Sequence, residues 1–147
     1  MKSGCMGVAM LLMAMALTTL TACHRTPDEV QVRAAIASIA GAAQAGTAAD
    51  VVAPLSEDFD GNQGELDRRA LGNLVRVFAL RGEHVGVTLG PVQVERRGER
   101  LLATMTVTLV GGGRLLPDQA GVYRVQSAWR RQDGKWLCYS ATWERSL

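Results

Sequence analysis

Histidine and cysteine are both scarce in this chain, and each scarcity removes chemistry. The 147 residues hold two histidines, His24 and His84. His24 sits at the edge of an N-terminal apolar stretch, so His84 is the candidate imidazole base in the body of the chain. The three cysteines are Cys5, Cys23 and Cys138. The first two fall in the N-terminal region, which leaves Cys138 without an internal disulfide partner. A lone thiol in an oxidising compartment is usually buried; a reactive or intermolecular role is the alternative. An excess of charge is missing too. Sixteen basic residues face 14 acidic ones, which makes no electrostatic case for nucleic acid as a partner. The apolar stretch from Val8 to Leu20 is at the short end for a membrane span, which needs about 20 apolar residues. Thr18, Thr19 and Thr21 dilute its far end further.

Metal and phosphate motifs are lacking as well. Asp58, Asp60 and Asn62 have the spacing that opens a calcium loop, but Gln63 stands where that loop needs Gly and Arg69 where it needs Glu. No metal site is expected. Gly111-Gly112-Gly113 lacks the Gly-Lys-Ser/Thr ending of a phosphate cradle and reads as a turn or bulge. Nothing implies a cofactor.

What is present begins with an export signal. Lys2 supplies one positive charge, and no charged residue follows from Gly4 to Ala22. That is the charged, then apolar, order of a secretory leader. It ends in Leu20-Thr21-Ala22-Cys23, which resembles the bacterial lipobox: a Leu, two small residues and a Cys. Small side chains let an extended backbone enter a protease, and the thiol accepts a diacylglyceryl group. The resemblance implies cleavage after Ala22 and acylation of Cys23. Each buried CH₂ contributes about 0.8 kcal/mol, so more than one chain anchors stably. Membrane lipid, reached through the acylated Cys23, is then one partner. The location is the cell envelope, facing the periplasm. His24 after the cysteine, rather than Asp, resembles sorting to the outer membrane rather than the inner. With Lys2 gone, 15 basic residues face 14 acidic ones, and one domain is expected. Residues 1–22 are the leader, 23–27 the lipidated cysteine and its tether, and 28–147 a single domain.

The domain opens with helical signals. Thr26-Pro27-Asp28-Glu29 has a cap residue, a first-turn proline and the Glu of a capping box. Val32, Ala35, Ile36, Ile39 and Ala43 keep helical spacing, and Gly46 fits the stop. Thr47 to Leu55 reads as a short second helix that Pro54 ends or kinks. Ser56 to Gly64 reads as a polar loop around Phe59. Asn62 and Glu65 form a capping box for a third helix with the stripe Leu71, Leu74, Val75 and Phe78, closed by Gly82.

The period then changes to two. Val85, Val87 and Leu89 alternate with small residues until Gly90-Pro91 breaks the run. Val92–Arg97 and Arg100–Val110 flank a Gly98-Glu99 turn. Leu101, Ala103, Met105, Val107 and Leu109 face one way, and Thr104, Thr106 and Thr108 the other. A loop through Pro117 follows. Gly121–Arg131 and Lys135–Glu144 flank Asp133-Gly134, a strong two-residue hairpin turn. Such a turn puts Trp129 opposite Cys138 and Arg124 opposite Trp143. The three tryptophans then divide between faces, some for the core and some for an interface. Arg96, Arg97, Arg100, Arg130 and Arg131 form basic hairpin tips, either a solvated rim or a contact for anionic headgroups. Helices followed by four or five antiparallel strands indicate α+β, with the helices packed on one face of a curved sheet.

This layout resembles the nuclear transport factor 2-like superfamily, which includes ketosteroid isomerases and polyketide cyclases. The Ala-rich first helix carries the resemblance, with Leu55-Ser56-Glu57-Asp58-Phe59 and Arg68-Arg69-Ala70-Leu71. So does the ending Trp129-Arg130-Arg131-Gln132-Asp133-Gly134-Lys135-Trp136. It implies a cone-shaped fold with a cavity open at one end, used for small apolar ligands, for catalysis or for neither. A homodimer through the outer sheet face is implied too. Fold alone does not choose among these.

An enzyme of the isomerase, dehydratase or cyclase type needs a carboxylate base and an acidic donor. The candidates are Asp58, His84 and Tyr139, and no surrounding motif matches the isomerase base. Candidate ligand-contacting residues are Phe59, Phe78, Tyr123 and Trp129. Two readings follow: a non-enzymatic module binding a small apolar ligand or a periplasmic protein partner, and, as the alternative, a small enzyme using the cavity. The first needs no catalytic constellation, and the sequence offers none.

Overall fold

A computed structural model describes residues 26–112 and 120–146. The leader, Cys23 and the loop through Pro117 lie outside the described residues. Three helices, α1 (Asp28–Ala45), α2 (Ala48–Val52) and α3 (Arg68–Leu80), lie against a seven-stranded sheet. The strands are β1 (Leu55–Gly61), β2 (Leu66–Asp67), β3 (His84–Leu89), β4 (Gln93–Arg97), β5 (Arg100–Gly112), β6 (Ala120–Gln132) and β7 (Lys135–Arg145). Their order is β2-β1-β7-β6-β5-β3, with β4 also on β5. The expected α+β architecture of helices on a curved, antiparallel-rich sheet is what the chain adopts. Among the described residues, no helix is long and apolar enough to cross a membrane.

Local signals explain most boundaries. Gly46 ends α1 in the left-handed conformation, with its N–H bonded back to the helix. Asp133 and Gly134 both take positive φ, the geometry of the tight hairpin joining β6 and β7. The break at Gly90-Pro91 divides one edge into two strands. As a result β3 pairs with the far half of β5 and β4 with its near half.

Four expectations need correction. The capping box at Thr26 does not form: α1 starts after Pro27 with no side-chain cap. Asn62 does bond Glu65, at 2.9 Å, but within a turn. The cap of α3 is Asp67, whose carboxylate accepts the Ala70 N–H at 2.7 Å. The polar loop at Ser56–Gly64 is mostly strand β1, which runs parallel to β7. Its sequence is poor in strand formers, and its ladder to β7 is irregular. It is held by buried Leu55 and Phe59 and by Asn62, whose backbone N–H and side-chain oxygen both bond β7. The tryptophans do not divide between faces. Trp129 pairs with Cys138 as expected, but Tyr139 is bulged out, so Val125 rather than Arg124 faces Trp143. The one-residue slip turns Ala141 and Trp143 to the inner face.

The core sits between α1 and strands β5–β7. Val32, Leu101 and Trp129 are buried to 1% exposure or less. The indole N–H of Trp129 donates to Ser127 Oγ at 2.9 Å, and that hydroxyl contacts the Ala103 carbonyl at 3.4 Å. At the other end of α1, Asp28 ties the helix start to two hairpins. It accepts from Arg96 at 2.8 Å, from Trp136 Nε1 at 3.1 Å, and from Arg131. The Trp136 indole and Arg96, with the charge of Arg131 beside them, hold the Asp28 carboxyl below the usual carboxylate range. The basic tips are therefore largely engaged: Arg97 pairs with Glu95, Arg130 with Asp58, and Arg100 lies over the Tyr139 ring.

Two outcomes follow. Trp129→Ala empties the centre of the core and should cost about 3–5 kcal/mol in denaturant unfolding; a loss under 1 kcal/mol contradicts the packing described. For Asp28 the folded-state pKa is depressed, so its contribution is complete at pH values above the usual carboxylate pKa, about 4. It fades as pH falls through the lower folded value. Asp28→Asn should therefore lower Tm at pH 7, and the gap to wild type should close on acidification below pH ~4.

Candidate functional site

The curved inner face of the sheet and the helices enclose a cavity of about 240 Å³. Ile36, Ile39 and Ala40 of α1 form its roof, and Met105, Val125, Ala141 and Trp143 part of its floor. Alternation on β5 and β6 puts the floor residues there, and on β7 the bulge at Tyr139 does so. Phe59 of β1 closes one side.

A second chamber of about 450 Å³ shares the walls Ala43, Leu71, Val87 and Leu109 with the first. It lies at the C-terminal end of α1, beside Phe78, Glu83 and His84. The α3 stripe does not close over it. Leu71, Val75 and Phe78 are half-buried, while Leu74 and Val77 are exposed and Leu80 is 87% exposed.

The inner cavity is chemically plain. Its polar side-chain atoms among the described residues are Ser127 Oγ, Trp129 Nε1, Trp143 Nε1 and Cys138 Sγ. The first two bond each other, and the thiol donates to the Ser140 carbonyl at 3.3 Å. Burial pushes the Cys138 thiol up to about 12. In the outer chamber, Glu83 Oε2 is buried and without a partner, a feature the sequence did not single out.

The candidate residues scatter. Phe59 and Trp129 line the inner cavity, and Phe78 the outer chamber. Tyr123 lies on β6 with its ring against Gly121, whose lack of a side chain makes room for it. Asp58 and Tyr139 meet around Arg130 instead: Asp58 accepts from its guanidinium at 2.6 Å, and the Tyr139 ring lies 5.2 Å from it. Arg130 and Asp58 alternate with the inward Trp129 and Phe59, so this cluster is on the outer face. Arg130 holds the Asp58 carboxyl below its usual range. His84 is exposed at the start of β3, by the outer chamber. The three candidate catalytic groups thus do not converge.

The calcium-like spacing is used otherwise. Asp58 binds Arg130, Asp60 accepts the Gly64 N–H at 2.6 Å, and Asn62 bonds the Trp143 N–H at 3.0 Å. Among the described residues, no three His, Cys, Asp or Glu side chains gather as a metal site.

No protein-family model and no curated protein matches the chain. Solved structures do match. A candidate dehydratase of the nuclear transport factor 2-like family from Streptomyces avermitilis superposes with TM-score 0.67 at 17% identity, over 82% of this chain and 96% of that one. A protein of the same family with a cystatin-like fold, from Novosphingobium aromaticivorans, gives 0.65 at 19%, covering 81% and 82%. A candidate scytalone dehydratase from that organism gives 0.67 at 10%, covering 81% and 84%. Identities this low speak to architecture alone. The curved sheet, the helices over its inner face and these superpositions together identify the nuclear transport factor 2-like, cystatin-like α+β fold.

Proposed function

We propose that this protein is a membrane-anchored periplasmic lipoprotein whose cavity binds a small apolar ligand without chemical change. One observation carries the binding half: the inner cavity is walled by mostly apolar side chains, with no carboxylate or imidazole among its described lining residues. A general base needs a titratable group aimed at the ligand, and the described walls of the inner cavity offer only the Cys138 thiol, whose pKa burial pushes up to about 12. An apolar cavity on the order of 150 Å³ is enough to hold a benzene-sized molecule. The outer chamber extends the space toward the size of ordinary ligand pockets. Glu83 Oε2 would accept a hydrogen bond from a donor at the ligand's outer end. Leu74, exposed at the wall of the outer chamber, suits contact with a protein that delivers or receives the ligand. The anchoring half rests on the apolar leader, on Leu20-Thr21-Ala22-Cys23, and on the start of α1 only a few residues later.

The neutral fluorophore N-phenyl-1-naphthylamine tests the cavity on the chain from residue 24 onward. Its emission should shift to the blue with saturable binding, and Leu71→Trp, at the wall shared by the two chambers, should weaken binding at least tenfold. Equal binding by that variant would place the dye elsewhere. Native mass spectrometry of the purified protein should also show a small apolar molecule that co-purifies.

Cys138 reports on the same space. Its raised pKa predicts labelling by a soluble maleimide at pH 8 roughly a thousandfold slower than in the unfolded chain. Saturating fluorophore should slow it further, with sites assigned by peptide mapping; labelling at the unfolded rate contradicts the buried placement.

The anchor is tested by Cys23→Ser. The variant should stay at precursor length and lose acylation; normal trimming and unchanged partition into membranes would refute lipidation at Cys23.

A further inference from the structure

A second opening, of about 390 Å³, lies outside the cone and shares no wall residue with either chamber. Val52 at the end of α2, Glu57 of β1, and Asp67, Arg68, Arg69, Gly72 and Arg76 around the start of α3 line it. At 100° per residue, Arg68, Arg69, Gly72 and Arg76 fall within an arc of about 100° on one side of α3. The cone-facing Leu71 and Val75 flank this arc on its Arg68 edge.

The charges in this cleft do not cancel. Glu57 is paired with Arg68 at 3.1 Å, and Arg68 Nε also donates to the Val52 carbonyl at 3.2 Å. Asp67 is occupied in capping the helix, so the helix end is already satisfied and adds little. Arg69 and Arg76 are left without a carboxylate partner, and with Asp67 still charged the lining carries a net charge of +1. Arg76 donates to the neutral Asn73 amide at 2.9 Å and meets no carboxylate. Its guanidinium folds back over Gly72, where a side-chain carbon would stand 3.8 Å from Nη1 and 3.3 Å from Val52. Arg69 is exposed and has no hydrogen bond or ion pair among the described residues. Arg69 and Arg76 are seven residues apart, nearly two full turns, so their side chains project in parallel over the opening.

We propose that this cleft binds a small oxyanion, a phosphate or carboxylate group, held between the guanidinium groups of Arg69 and Arg76. Planar guanidinium donors match both acceptors in a bidentate fashion. Arg68, fixed by Glu57 and Val52, forms the back wall. The site is independent of the apolar cavity, although one helix lines both.

Calorimetry on the full chain in neutral detergent, at low salt and pH 7.5, decides the matter with two probes, inorganic phosphate and citrate. Saturable binding of at least one is expected, and which one binds identifies the acceptor. Arg69→Gln/Arg76→Gln should weaken it tenfold or more, while Arg81→Gln, at the far end of α3, should leave it unchanged. Arg69→Lys/Arg76→Lys keeps the charge but loses the paired donors, and should also weaken binding; it carries the test if the glutamine variant melts early. Binding of neither anion overturns the proposal, as does wild-type affinity in the double variants or an equal loss in Arg81→Gln. Fluorophore binding in the cone should be the same in all these variants, which separates failure here from failure of the ligand-binding reading.

Discussion

Between Ala128 and Trp129 the pairing of β6 with β7 slips by one residue, and Tyr139 is left over. The cavity depends on that slip. Strand side chains alternate, so an uninterrupted β7 that buries Trp136 and Cys138 would next turn Ser140, Thr142 and Glu144 inward. A carboxylate and two hydroxyls would then line the floor. With the bulge, Ala141 and Trp143 take those places. Trp143 in turn needs Gly61, since a side-chain carbon there would come within 2.9 Å of its ring. One irregular residue on β7 and one glycine on β1 together decide that the space under the helices is apolar.

How much of this was legible in the residues follows the range of the forces involved. Gly46, Asp133-Gly134 and the alternation from Leu101 to Leu109 act within a few residues, and the elements they predict are present. Strand β1 was hidden because Ser56, Glu57, Asp58 and Asp60 read as loop, and only its contacts with β7 hold it extended. The bulge has no local signature: nothing near Tyr139 marks it, and its reason is the burial of Trp143 at the next turn of the pattern. The part played by Asp28 was equally invisible, because its partners lie 68 to 108 residues away. Among candidate site residues, Phe59 and Trp129 could be placed because large apolar residues on strands tend to face inward. Asp58 and Tyr139 were singled out for their chemistry, which carries no information on which face they occupy.

The fold is shared with structures described as candidate dehydratases, and the comparison shows how such a scaffold separates shape from reactivity. The curvature of the sheet and the helices above it supply an enclosed volume whatever the side chains are. Chemistry requires polar groups on the inner face, and in this chain most of the charged ones stand elsewhere, with Glu83 in the outer chamber an exception. Asp58 and Arg130 pair on the outer sheet surface, Asp28 fastens a helix to two hairpins, and the arginines of α3 look into a separate cleft. The paired charges here serve assembly, while the cavity under the helices is left mostly to shape and the hydrophobic effect.

The direction of α1 has a bearing on traffic. Its 18 residues extend about 27 Å. Asp28 stands at one end, and the open chamber beside Gly46 at the other. On the proposed anchoring through Cys23, the chamber beside Gly46 would lie at the end of this rod remote from the lipid. If the proposed anchor and ligand both hold, exchange through that chamber would face the aqueous space or an opposing surface rather than the leaflet that holds the lipid.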